Sequence, residues 1–559
     1  MKNNWDASFD VVVVGSGAAG LTGAITAADQ GLDVLIVEKL AGWGGTTAYS
    51  GGGLWIPNNY LMAEDGARDS FREALQYLEA IIEDVGPASS RARTEAYLES
   101  GPEMVEFLRE LGMKWSRAAL YPDYYPFAEG AKTGRIIEAA VFNGRKLGDL
   151  KETVIDAPLP PMVCGTGDAA LLPIAFRTWK AFRRLMGIIG STIGWHLTGK
   201  VPFPLGKALV GNLMHVLQSN FDVPVWLNSP LTDLVLENDR VVGVVVERQG
   251  ETKRIQANRT VLLAAGGFAK NDSYRRQFQP VGGDWTSAPP GDEGDAIRIG
   301  DKIGAALAMM DQAWWGASLL IDGEISFSVY ERSLPGSMIV DQTGQRFANE
   351  STSYVDLGEE ILRREAETGK AVPSWMVFDA RYRSRYLFGM LPPGYTPKKL
   401  VEDGSLIKAE SLAEIARQTG MNPDILEETV TRFNSYARHG IDKEFRRGDG
   451  IYDRYYSDPT VKPNPNLAPL EKAPFWAVRV YPGDLGTKGG LLTDEYARVL
   501  REDGSAIEGL YASGNSTASV MGGTYPGPGA SIGPAATFSY IGMRHAAGKP
   551  TAEESGNPG

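Results

Sequence analysis

The chain alternates short, continuously apolar runs with glycine-rich turns, which is how buried parallel strands feeding helices read, and not how two-faced antiparallel strands do. Phe9-Asp10-Val11-Val12-Val13-Val14 predicts a first strand, Gly15-Ser16-Gly17-Ala18-Ala19-Gly20 opens a helix that Gly31 ends, and Asp33-Val34-Leu35-Ile36-Val37-Glu38 predicts a second strand. Two later runs repeat the passage from strand into glycine: Thr260-Val261-Leu262-Leu263-Ala264-Ala265-Gly266-Gly267-Phe268 and Gly509-Leu510-Tyr511-Ala512-Ser513-Gly514-Asn515. Between them, Arg332 to Tyr354 and the helical stretch Ser411 to His439 read as α+β.

In a βαβ unit of about 30 residues, glycines at the first turn admit a pyrophosphate to the helix N-terminus, and an acid ending the second strand holds a ribose hydroxyl. Gly15, Gly17, Ala18, Ala19, Gly20 and Glu38 stand at those places. The next stretch, Lys39 to Gly53, is a second glycine-rich run that can bring backbone along a further part of a long cofactor, which favours a flavin over a nicotinamide. It contains neither His nor Cys, the usual residues of a covalent flavin link, so non-covalent FAD is expected. Taken in order with the two later runs, these pieces resemble the FAD-binding domain of the fumarate reductase/succinate dehydrogenase-like flavoproteins. The resemblance implies FAD contacts from Lys39, Gly45, Thr46, Thr47, Ser50, Gly51, Gly52, Ala265, Gly266, Gly267, Asp295, Gly514, Ala530 and Ile532, and from Asn515 where many such proteins carry an acid. It also implies an α/β architecture in which residues 1–313 and 488–559 form a discontinuous, Rossmann-like FAD-binding domain around an inserted α+β catalytic domain over 314–487.

Met521-Gly522-Gly523-Thr524-Tyr525-Pro526-Gly527-Pro528-Gly529-Ala530-Ser531 packs glycines and prolines around one tyrosine, after a strand and before a helix. Such a segment exposes backbone N–H groups to a ligand and aims one phenol at it, the make-up of an oxyanion site. Together with Gly44 to Asn59, Pro122-Asp123-Tyr124-Tyr125-Pro126, Arg346-Phe347-Ala348-Asn349-Glu350 with Tyr354, and Pro482 to Thr487, it resembles the 3-ketosteroid Δ1-dehydrogenases, with matches running from about residue 9 to about 545. The resemblance implies an oxidoreductase of steroid metabolism with Tyr354 as base, Tyr124 hydrogen-bonded to it, the C3 ketone oxygen against the Tyr525 hydroxyl and the Gly529 N–H, and Tyr121 on the substrate wall. Such a 1,2-desaturation needs a base for the acidic C2 proton, an acceptor for the C1 hydride, here flavin N5, and a donor to the enolate oxygen. A quinone or another acceptor then removes the electrons. A phenol of ordinary pKa costs roughly 3 to 4 kcal/mol to ionise at pH 7 to 8, and one hydrogen bond to the phenolate returns ~1.5 to 3 kcal/mol, which suits a pair of tyrosines.

At 559 residues and 43% apolar side chains, the chain is long for one core and can fill two. A net charge of −13 argues against a nucleic-acid partner. Cys164 is the sole cysteine, and His196, His215, His439 and His545 lack ligand spacing, so no metal site is expected. Met1 to Phe9 shows no secretory leader and no run reaches the ~18 to 20 apolar residues of a membrane span, which predicts a cytoplasmic protein. One segment departs from the acidic pattern. Residues 169–221 carry Arg177, Lys180, Arg183, Arg184, Lys200 and Lys207 with no Asp or Glu, around the apolar Leu185 to Leu197. That composition suits a helix lying in the membrane surface, peripheral at the inner face of the cell membrane, and equally a core helix beside the substrate cleft; the sequence leaves both open.

A fumarate-reductase-like hydrogenator needs arginines and histidines to clamp two carboxylates, and Asp311 to Trp315 and Gly522 to Gly529 hold neither residue type. Two alternatives to the 1,2-desaturase stay in view: a related C4–C5 desaturase and a non-catalytic sterol carrier that keeps FAD structurally.

Overall fold

The computed structural model describes residues 5–83, 86–158 and 160–548; the polar tail Thr551 to Gly559 lies outside the described residues. The first apolar run is strand β1 (Ala7–Val14), followed by helix α1 (Ala18–Asp29) and strand β2 (Val34–Val37). β1 pairs in parallel with β2 on one side and with β3 (Glu251–Leu263) on the other, and β3 pairs in parallel with β4 (Ala506–Ala512). Val11 to Val14 are buried because both faces and both edges of the strand are covered, so the run needs no polar alternation. The hairpin of Leu231–Glu237 and Arg240–Arg248 adds to β3 in antiparallel fashion. Register aligns Val14 with Val37 and with Leu263, and Leu263 with Ala512. The glycine-rich turns at Gly15, Gly266 and Gly514 therefore open side by side at the carboxyl edge of one sheet, where ligands of such sheets bind. The expected α/β class holds.

A second sheet is wholly antiparallel, in the order Glu324–Phe327, Ala313–Ile321, Phe475–Thr487, Ser374–Phe378 and Ser337–Val340, with Leu406–Ala409 also on Phe475–Thr487. A small third sheet sets Ile136–Ala139 between Gly53–Trp55 and Trp115–Arg117.

The basic segment splits into two helices of opposite character, α2 (Trp179–Leu197) and α3 (Leu205–Asn220). α3 is a core helix packed on α1, with Ala208, Leu209, Leu213, Met214 and Leu217 buried. α2 buries Ala181 and Ile188 alone and turns Trp179, Met186, Ile189, Ile193 and Leu197 outward. Those positions recur at i, i+7, i+10, i+14 and i+18, which at 3.6 residues per turn draws one exposed apolar stripe. No helix among the described residues is long and apolar enough to cross a membrane. Two further helices frame the site: α4 (Tyr354–Thr368) and α5 (Ile532–Ala546), the latter packed on α1.

Candidate active site

At the turn after β1, a Cβ on Gly15 (φ +103°) would fall on the Ala264 carbonyl oxygen, and one on Gly20 would fall on the carbonyl of Gly15. Gly17 differs: its nearest neighbours would be Thr47 Oγ1 at 3.4 Å and Gly44 O at 3.9 Å, and it caps α1 with no side-chain oxygen. A helix start left open in this way is a place for phosphate. Ala18 N–H donates to Thr47 Oγ1 at 3.0 Å, which ties α1 to the short helix Gly45–Tyr49 carrying Thr46 and Thr47. Ser50 closes that helix on the Thr47 carbonyl, Gly51 O accepts the Thr166 hydroxyl, and Gly52 (φ +72°) lies against Leu205.

Glu38 is 7% exposed and accepts Ser16 N–H (3.1 Å), Ser16 O–H (2.6 Å) and Leu40 N–H (3.0 Å). A carboxylate has about four acceptor sites, so a ribose hydroxyl can still be taken. Lys39 is ion-paired with Glu293 and with Asp295, the latter at 2.8 Å, so two of the expected cofactor contacts neutralise each other at the rim. Ser516 donates to Gly266 O (2.9 Å) and accepts Ala265 N–H (3.1 Å), while Asp292 accepts Gly267 N–H (2.6 Å). Nothing in the sequence pattern had singled out Ser516 or Asp292. Asn515 Oδ1 accepts Trp314 Nε1–H at 3.1 Å beside Gly514 (φ +68°), and Ala530 and Ile532 flank the start of α5, which also lacks a side-chain cap. Open helix starts and glycine turns along one edge fit a dinucleotide of FAD's length.

Beyond Asn515 lies a cage of phenols. The rings of Tyr124, Tyr354 and Tyr525 meet one another, with centroids 5.4 Å apart for 124–354, 5.5 Å for 124–525 and 5.0 Å for 354–525. Tyr354 meets Tyr525 through their tilted rings, and the Tyr525 hydroxyl lies 3.4 Å from Ser531 Oγ. The hydrogen bond expected between Tyr124 and Tyr354 is not made: the two rings meet edge-on and the Tyr124 hydroxyl instead pairs with that of Tyr121, 3.2 Å away. Tyr121 is bonded in turn to Tyr456 and stacks on Tyr455 at 4.3 Å, while Tyr452 lies 4.4 Å from Tyr124. Tyr452, Tyr455 and Tyr456 escaped the sequence reading; three tyrosines within five residues was the available signal. Burial pushes the phenols of Tyr121, Tyr124 and Tyr354 well above their ordinary value, and neighbouring phenols add to the rise.

The loop that carries Tyr525 is braced from distant parts of the chain. Pro526 O accepts Tyr77 O–H (2.6 Å) and Tyr124 N–H (2.9 Å), and Gly523 O accepts the buried Lys488 ammonium. Gly529 (φ +90°) leaves no room for a Cβ against the Gly53 carbonyl; its own carbonyl accepts Trp55 and Gly533 N–H, while no group among the described residues takes its N–H. Asp123, next to Tyr124, is fixed by Trp55 Nε1–H (2.7 Å) and Arg135 (2.8 Å). Ahead of Tyr354, Arg346 pairs with Glu350 and Asp442, each at 2.7 Å, and Arg447 with Glu350 at 3.0 Å, all fully buried. The Arg346-to-Glu350 motif is thus a buried ion network that anchors the approach to α4.

The model of the FAD binding domain family matches residues 10–532. A 3-oxosteroid 1-dehydrogenase of Mycolicibacterium smegmatis is 44% identical over 95% of this chain and 96% of its own. A 4-oxocyclohexanecarboxylate 2-dehydrogenase of Sinomonas cyclohexanicum is 36% identical over 98% of this chain and 94% of its own. Among solved structures, the 3-ketosteroid delta1-dehydrogenase from Sterolibacterium denitrificans in complex with 1,4-androstadiene-3,17-dione superposes with a TM-score of 0.92 at 40% identity, covering 97% of this chain and 99% of that one.

Proposed function

The chain belongs to the FAD-binding flavoprotein family, within its 3-oxosteroid 1-dehydrogenases, and from that premise we propose that it introduces the C1–C2 double bond of 3-ketosteroids. FAD, held non-covalently along the glycine turns, supplies the acceptor for the C1 hydride. Tyr354, as phenolate, takes the C2 proton: the C2–H bond breaks, a phenol O–H forms, and the electron pair moves toward the C3 oxygen. Tyr525 O–H and Gly529 N–H hold that oxygen as its charge grows. The observation that carries this reading is that the Tyr354 and Tyr525 rings pack 5.0 Å apart, and that in the Tyr525 loop no described group takes the Gly529 N–H. A ketone oxygen and its α-carbon are two bonds apart, so base and oxyanion donor must be neighbours. A quinone or another acceptor reoxidises the enzyme.

The test is anaerobic mixing of the yellow protein with a 3-ketosteroid saturated at C1–C2, with 4-oxocyclohexanecarboxylate in parallel. Bleaching of the flavin and a product double bond at C1–C2 are expected. Absence of bleaching with every ketone would leave a carrier, and a C4–C5 double bond would make the protein the other desaturase. Acid precipitation should release all flavin from the protein.

The same reading places α2 on the surface of an anionic bilayer, from which a lipophilic substrate can be drawn laterally. Its support is the exposed stripe, with Trp179 74% and Leu197 83% exposed. Of the segment's cations, Arg177, Arg184 and Lys207 are tied to Asp458, Asp168 and Asp156, whereas the exposed Lys180 and Arg183 flank the stripe. Each cation near such a surface adds about 1 kcal/mol that salt screens. Sedimentation with anionic vesicles, partly released by salt, is expected to weaken in Lys180→Glu/Arg183→Glu without loss of FAD; a parent protein that ignores vesicles at low salt overturns the placement.

A further inference from the structure

The two phenols given roles in the reaction stand on different parts of the fold, Tyr354 at the first residue of α4 and Tyr525 in the loop before α5. One side chain bonds to both parts. The Tyr125 hydroxyl donates to Asp356 Oδ1 at 2.7 Å, in the first turn of α4 and two residues beyond Tyr354, and its oxygen accepts the backbone N–H of Tyr525 at 3.4 Å. The Tyr125 N–H donates to the Tyr77 hydroxyl oxygen (3.2 Å), and that hydroxyl donates in turn to Pro526 O (2.6 Å). A phenol has one proton to give and lone pairs to receive, so its two bonds are made at once. The carboxylate draws the proton toward itself and makes the phenol oxygen a better acceptor for the Tyr525 amide.

An acid in the first turn of a helix is ordinary matching of the helix dipole; its bond to a residue that also holds Tyr525 is not. A base and an oxyanion donor act on atoms two bonds apart, and a misplacement of about 1 Å costs about 10²-fold in rate. We propose that Tyr125 is a positioning residue: through Asp356 and the Tyr525 amide it ties the loop of the oxyanion donor to the helix of the base, so that the Tyr525 hydroxyl meets the ketone oxygen while Tyr354 meets its α-carbon. The proposal rests on the roles given above to Tyr354 and Tyr525.

Tyr125→Phe keeps the ring and removes both bonds. In anaerobic mixing of the holoenzyme with a 3-ketosteroid, its limiting rate of flavin reduction should fall about ten- to a hundredfold, while FAD content and affinity for a Δ1-product stay within about twofold of the parent. Made in a Tyr525→Phe protein, the same substitution should cost less than about twofold, because the hydroxyl it places is already gone. An unchanged rate, or an equal cost in both backgrounds, overturns the proposal. Asp356→Asn, which still offers an oxygen to the Tyr125 hydroxyl, should recover most of the rate that Asp356→Ala loses, and Asp356→Ala combined with Tyr125→Phe should be no slower than the slower single variant. Equal losses for the two Asp356 variants, or additive losses in the combined one, also overturn it, as does loss of flavin from both Tyr125→Phe and Asp356→Ala. Failure of the underlying reading shows separately, as Tyr525→Phe reducing flavin within about tenfold of the parent.

Discussion

The turn after β1 and the loop before α5 are both glycine-rich and both lead into a helix without a side-chain cap, yet they need their glycines for different reasons. At the first turn the constraint lies within the cofactor sheet: Gly20 lies against the turn's own Gly15, and Gly15 against Ala264 at the end of the neighbouring strand β3. In the second, Gly529 lies against Gly53 and Gly527 against Trp55, more than 400 residues earlier in the chain, while Tyr77 and Lys488 clamp the carbonyls of Pro526 and Gly523 just before them. One loop is shaped by the sheet that holds the cofactor, the other by partners drawn from outside that sheet. The first should therefore fail by losing cofactor, the second by losing chemistry.

The largest effect expected is at the first turn. Gly20→Ala puts a methyl on the Gly15 carbonyl oxygen, a backbone group that no side-chain rotation can move aside. The protein should be recovered without flavin or not at all, as read from the ratio of flavin to protein absorbance. A yellow, active Gly20→Ala would show that this turn tolerates a shift and would erase the contrast.

The phenols come next. Tyr354→Phe should keep its FAD and lose about 10² to 10⁴ in kcat, the usual worth of a positioned base. Tyr525→Phe should lose about 10² to 10³ in kcat, as for one oxyanion donor, while still binding a Δ1-product. If Tyr525→Phe lost FAD instead, the second loop would belong with the first as a cofactor support. The pH dependence has a definite sign. Burial raises the pKa of the Tyr354 phenol, so the ionised fraction is small at pH 7, and kcat should climb about tenfold per pH unit below the midpoint. Folding runs the other way: native phenols hold their protons more tightly than unfolded ones, so this contribution to stability is intact below about pH 10 and declines above it. The rate should rise with pH until thermal melts begin to fall.

What could be read from the chain follows the same division between local and distant causes. The βαβ unit and the α/β class were legible because Val11 to Val14, the Gly15-to-Gly20 turn and Glu38 lie within one short stretch that determines its own shape. That Tyr124, Tyr354 and Tyr525 meet in space was legible only through motif resemblance, since nothing in spacing links positions 124, 354 and 525. The partner of Tyr124 was misjudged because ring orientation is set by packing, which turns its hydroxyl to Tyr121. The ties made by Ser516 and Asp292 are tertiary facts with no local signature, and the clustering of Tyr452, Tyr455 and Tyr456 within five residues does not reveal what those rings face. The basic segment shows the limit most plainly. α2 and α3 are both apolar and basic in composition, and only their neighbours make α3 core and α2 surface.

The smallest effect expected separates shape from mere glycine content in the second loop. Gly522 and Gly529 have φ of +56° and +90°, where a side chain is strained, but Gly523 has an ordinary φ and nothing within 4 Å of where its Cβ would stand. Its one visible task, accepting the Lys488 ammonium, belongs to its carbonyl, which any residue supplies. Gly523→Ala should therefore leave FAD content, kcat and KM within about twofold of the parent, and restricting the unfolded chain should stabilise it by about 0.4 to 1 kcal/mol, measured by thermal melting. A tenfold fall in kcat with FAD intact would mean that the loop must flex at Gly523 to admit or release the ketone. In that case rigid bracing by Tyr77 and Lys488 describes only its closed form.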